Sequence, residues 1–212
     1  MTMTPGLRKF ALTSHVTSSV SWLGAVAAFL VLAVAGLSSR DDETVRAAYI
    51  AMHLTTWFVI VPLSLAALLT GLVQSLGTTW GVFRHYWIAT KLLLTIPATG
   101  ILLLHTQPID RVAAVARTRI LSSSDLRQLR IQLVADAGAA LFVLLVTTAL
   151  SVYKPWGMTT YGLRRQDEET AAWRPPPTRR PTVSGKFVLM AISGLIVLVV
   201  LWHLLGGGLH GH

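Results

Sequence analysis

The sequence predicts an all-α integral membrane protein, a bundle of four transmembrane helices with a fifth, C-terminal one appended. Three observations predict it. Of the 212 residues, 53% are hydrophobic and 13% charged, and the mean hydropathy is +0.60, too apolar for an ordinary soluble domain. Five runs, roughly 11–37, 46–76, 86–106, 131–153 and 186–206, approach the ~20 apolar residues that a spanning helix needs. The chain has no cysteine, which excludes a disulfide framework, a thiolate metal site and a thiol nucleophile. Any metal must be held by His, Met or carboxylate.

The first run follows Arg8 and Lys9 and ends in Ala33-Val34-Ala35-Gly36, a passable signal-peptide cleavage site. Its length exceeds the ~7–15 apolar residues of a signal core, so it reads as a retained span. Ser14, Ser18, Ser21, Ala25 and Ala28 repeat at three and four, a small face along which a second helix can approach. "SSRDDETVR" is a tight turn whose Asp41, Asp42 and Glu43 suit the start of the next helix. That second helix, about Val45 to Leu76, contains Pro62, and the third contains Pro97. Each proline removes a backbone hydrogen bond and predicts a bend.

Residues 107–130 include "PIDRVAAVARTRIL", of helical composition without a clean amphipathic stripe. They predict a short interfacial helix before a new helix start at Ser122–Ser124. Residues 154–185 include "RPPPTRRP", which favours an extended, solvated linker. The organisation expected is a four-helix bundle over 1–153, a basic linker over 154–185, and a last span with the tail "GGGLHGH" over 186–212.

The net charge of +9 is explained by topology rather than by nucleic acid. With the N-terminus cytoplasmic, Arg8, Lys9, Arg84, Lys154, Arg164, Arg165, Arg174, Arg179, Arg180 and Lys186 lie inside. Arg40, Arg46, Arg111, Arg117, Arg119, Arg127 and Arg130 lie outside. The excess of cations inside predicts a multi-pass membrane protein, N-terminus cytoplasmic and C-terminus external, with the lipid bilayer as its first partner.

Ionisable side chains within a span cost ~2.5–3.5 kcal/mol each, so they face the bundle interior and mark candidate sites. At the inner leaflet stand His15, His85 and Lys91, with Arg84 at the edge. Arg84 and Lys91 read first as interfacial anchors that snorkel. His15 and His85 read either as interhelical hydrogen bonders or as the two axial ligands of a haem b, with Arg84 and Lys91 meeting its propionates. At the outer leaflet stand His53 and Asp136, with His105 and His203 near the ends of their helices. These read as a buried His53–Asp136 pair that fixes packing, or as a metal site completed by His105 or His203, a proton relay or a second haem. His105 is twenty residues beyond His85, ~30 Å along one helix, so the two cannot serve one cofactor. No GxSxG, HExxH, Walker or Rossmann pattern is present.

His15 with Trp22-Leu23-Gly24-Ala25, Gly71-Leu72-Val73-Gln74-Ser75-Leu76-Gly77, Trp80-Gly81 and Arg84-His85-Tyr86-Trp87 carry a resemblance. Over residues 7–107 the chain resembles a family of small bacterial polytopic membrane proteins, common in actinobacteria and described only as domains of unknown function. The resemblance implies a fold and no activity. The His15 and Trp22-Leu23-Gly24 pattern also resembles that of copper-resistance membrane domains, which implies copper or haem.

Two classes of function follow. One is a b-type haem protein passing electrons to a redox partner or quinone. The other is non-enzymatic, a metal or proton permease using His53, Asp136 and His203, or an accessory scaffold whose polar layers are structural.

Overall fold

The computed structural model describes residues 3–77, 85–104, 106–118, 124–153, 159, 163 and 164. Every regular element among them is helical: α1 (Pro5–Ser38), α2 (Asp42–Thr55), a π-helical turn (Thr56–Ile60), α3 (Val61–Gly77), α4 (Tyr86–Leu104), α5 (Thr106–Thr118) and α6 (Ser124–Tyr153). Four stretches are long and apolar enough to cross a membrane: Pro5–Ser38, Asp42–Gly77, Tyr86–Arg117 and Arg127–Tyr153. The expected linker and fifth span lie outside the described residues, apart from 159, 163 and 164.

Local chemistry sets the helix ends. Thr4 caps α1, with Pro5 in its first turn, where the missing N–H costs nothing. Asp41 caps α2, accepting from the Thr44 amide at 3.0 Å and the Thr44 hydroxyl at 2.5 Å. Those bonds, the hydroxyl first, hold its carboxyl below the usual carboxylate range. The acidic turn expected from the sequence is therefore an N-cap.

The π turn answers Pro62. Val61 donates its amide to Thr56, five residues back, and the widened turn eases the clash that a proline ring makes with the carbonyl four residues before it. Its effect is visible in register. Gly36 of α1 meets Tyr49, and Gly71 meets His15. Between these contacts α1 runs 21 residues (36 − 15) and the second span 22 (71 − 49). The one surplus residue is what a π turn inserts.

The spans form an antiparallel ring. α1 packs on α2, α3 and α6, while α4 packs on α3 and α6, so α1 and α4 stand diagonally. α5 packs on α2 and α6. Arg46 reaches Ala116 and His53 reaches Asp110, so α5 runs antiparallel to α2 and prolongs the third span. A helix in this region was expected, but an interfacial one lacking a stripe. The structure bears out the helix and corrects only the missing stripe: Ile109, Val112, Ala113 and Ala116 are all buried at the i, i+3, i+4, i+7 spacing of an amphipathic face. That face completes the core beside Val45, Tyr49 and Met52.

The seam of α1 also differs from expectation. Trp22, Val26, Phe29, Ala33 and Gly36 are buried, spaced four, three, four, three as in a left-handed coiled coil. Ser21 and Ala28 are exposed. Of the predicted small face only Ser18 is buried, because the large apolar side chains rotate α1 to bury themselves.

Residues 54–73 of the second span carry no ionisable side chain, and at 1.5 Å per residue they measure ~30 Å, the thickness of a hydrocarbon core. This apolar belt separates two polar rims. One lies at the N-terminal end of α1; the other, the far rim, lies at its C-terminal end.

Candidate functional site

His15 stands just inside the N-terminal rim, at the level of Ala67 to Gly71, half-buried on α1. Its Nδ1 is 3.0 Å from the Ala67 carbonyl and 3.3 Å from Thr70 Oγ1. The imidazole edge lies where a side chain on Gly71 would begin, with Cε1 only 2.9 Å from the position of a Cβ. Gly71 thus admits the ring, and α3 supplies its polar partners. Lys91 is half-buried on α4.

His85 immediately precedes α4, where its carbonyl accepts the Ile88 and Ala89 amides at 3.2 and 3.3 Å. Its ring lies 6.4 Å from that of Trp87, tilted by 59°. Lys91 is six residues further along, ~9 Å deeper on a helix. The structure thus joins His15 to α3 and places His85 at the start of α4. His15 takes its hydrogen-bond partners from α3, and His85 has an interaction of its own. Arg84 lies outside the described residues.

At the far rim, His53 Nε2 is 3.3 Å from Asp110 Oδ1, and the same oxygen accepts the Trp57 indole N–H at 3.0 Å. His53 therefore takes its carboxylate from α5. Asp136, the expected partner, is half-buried on α6 and has an interaction of its own. His105 and His203 lie outside the described residues, among which no group of three His, Cys, Asp or Glu side chains could hold a metal ion.

Two arginines that the sequence reading assigned no role complete this rim. Arg130 of α6 donates to the Gly36 carbonyl, and its Nε donates to Tyr49 Oη at 2.8 Å. Its guanidinium carbon stands 5.5 Å from the Tyr49 ring centre, within cation–π range. Arg46 of α2 donates through Nε to the Ala116 carbonyl at 2.9 Å. Gly36 and Ala116 lie in the last turns of α1 and α5, where carbonyls lack helical partners and the helix dipole is negative. Each arginine caps the end of a helix that is not its own.

Two signals in the sequence could have found these residues. The apolar stripe of α5 puts Asp110 on the edge next to its buried face. Arg46 and His53, seven residues apart, share one face of α2.

Comparison with protein-family models, with curated proteins and with solved structures finds no match.

Proposed function

We propose that the protein is a non-enzymatic component of a bacterial plasma membrane, an accessory or scaffold bundle whose ionisable residues hold its spans in register. One observation carries this reading: His15, Arg46, His53 and Arg130 each reach across to a neighbouring helix. Polar groups so engaged fix which helices pair and at what height. In this reading the N-terminus is cytoplasmic.

The permease alternative has less support. The buried serine and threonine hydroxyls along the second span are those of Thr56 and Ser64, eight residues apart, then Ser75. Eight residues are ~12 Å of helix, several times a hydrogen-bond length. The intervening Ile60 is buried and apolar.

One observation favours a haem reading. With its proton on Nδ1, His15 donates to the Ala67 carbonyl and keeps a lone pair on Nε2, the arrangement by which ligating histidines are oriented. Lys91 could meet a propionate. His85, the second ligand this reading needs, stands immediately before α4. A redox partner or quinone is required by this reading alone.

An absorption spectrum with metal analysis separates the two. Protein expressed with ample haem and purified in detergent should be colourless and free of stoichiometric metal, and His15→Ala should lower its melting temperature. A Soret band that His15→Ala abolishes would overturn the scaffold reading.

A further inference from the structure

The far rim divides its charge between two hairpins. Asp41, Asp42 and Glu43, all exposed, cluster at the turn from α1 to α2. Arg111 and Arg117 of α5 and Arg127 of α6 are exposed as well, and none of the three forms an ion pair among the described residues. They contrast with Arg46 and Arg130, which turn to helix ends and are half-buried. Asp110, the nearest carboxylate in sequence to Arg111, is taken by His53 and Trp57. Among the described residues, then, these three cations have no carboxylate of the hairpin as partner.

Depth indicates what would neutralise them. Asp110 is level with His53, the first ionisable residue beyond the apolar belt. Arg111 is one residue past that edge and Arg117 seven, which places them ~1.5 to 10 Å outside the hydrocarbon. The headgroup layer occupies ~5–8 Å on each side of a bilayer, so Arg111 starts within it and Arg117 just beyond it, where a long side chain reaches back. Trp57, 41% exposed on the adjoining span, marks the same level as an interfacial aromatic. Guanidinium groups at this height meet lipid phosphates, which they bind in a bidentate fork.

We infer that Arg111, Arg117 and Arg127 form a docking surface for the phosphate headgroups of anionic phospholipids in the leaflet at the far rim. The inference rests on the bundle crossing a bilayer, and it does not depend on whether the protein binds haem.

The test uses the full-length protein reconstituted in phosphatidylcholine vesicles doped with phosphatidylglycerol, and native mass spectrometry of protein released from them. Bound phosphatidylglycerol should exceed its share of the vesicle lipid, and the excess should fall with added salt. Each basic residue near a charged surface is worth about fivefold in partition, so the triple variant Arg111→Gln/Arg117→Gln/Arg127→Gln should lower enrichment by on the order of a hundredfold. Arg8→Gln/Lys9→Gln, at the opposite end, should leave most of it.

Equal enrichment in the triple variant and the native chain would overturn the proposal, as would no enrichment at all. Inorganic phosphate that displaces the lipid at millimolar concentration would assign the site to a free anion instead. Co-purified nucleic acid lost in the triple variant would assign the surface to a polyanion instead. Failure to insert into vesicles would refute the membrane-spanning premise, an outcome separate from a lack of selectivity. If the triple variant does not fold, Arg117→Gln alone, expected to lose about fivefold, provides the same test.

Discussion

At the scale of single residues, the contacts that matter join a side chain on one helix to a backbone group on another. A methyl group on Gly36 would lie 2.8 Å from the Tyr49 ring, so Gly36→Ala should displace the tyrosine that Arg130 holds and cost ~1–3 kcal/mol as overpacking does. Arg130→Lys should not rescue Arg130→Met, because an ammonium cannot span the Gly36 carbonyl and the Tyr49 hydroxyl as the fork does. Melting temperatures of the three variants check both points. His53→Gln and Asp110→Asn should be non-additive in a double-mutant cycle, by under ~1 kcal/mol since the pair is partly exposed. His53→Gln with Asp136→Asn should be additive. Asp41 gives a pH signature. Its folded pKa is depressed, so its contribution is present above the unfolded carboxylate pKa and is lost as pH falls through the folded one. Amide exchange at Thr44 should accelerate in acid below pH ~4; Asp41→Asn, which still caps, should abolish that dependence.

At the scale of elements, the π turn and α5 show where sequence patterning stopped. Pro62 announces a disturbance, but a kink and an inserted residue leave the same trace in composition, and only the register of α1 against the second span separates them. Because the turn holds one surplus residue, deleting Phe58 together with Pro62→Ala should leave a regular helix with both flanking faces preserved. Deleting Leu69, where no surplus exists, should rotate the rest of α3 by ~100° and abolish the monodisperse peak on size-exclusion chromatography. The α5 stripe was legible in Ile109, Val112, Ala113 and Ala116; two alanines among the four kept its apolarity low, and the arginines around it drew attention to the surface. The buried seam of α1 differs from its small-residue pattern for the converse reason. Serines and alanines at helical spacing suggest close approach, yet burial of Trp22 and Phe29 decides the orientation of the helix.

At the scale of the whole molecule, hydropathy sufficed for four spans, since a run of 20 apolar residues has few alternatives in water or lipid. The polar pairings were not legible: His15 and Ala67 are 52 residues apart, His53 and Asp110 are 57 apart (110 − 53), and neither has a local signature. Orientation is tested by reporter fusions at Pro176 and His212, expected on the cytoplasmic and external sides respectively; the reverse pattern would place the basic hairpin of α5 and α6 in the cytoplasm. The His15 contact also bears on biogenesis. The first span enters the membrane carrying an imidazole whose acceptors, the Ala67 carbonyl and Thr70 hydroxyl, have not yet been made. At ~5–20 residues per second the ribosome needs about 3–10 s to deliver them. Through that interval the nascent first helix carries an unsatisfied polar group, and it should remain beside the translocon or an insertase until the second helix folds back across the three-residue turn of Ser39, Arg40 and Asp41 and the two leave for the lipid as a pair.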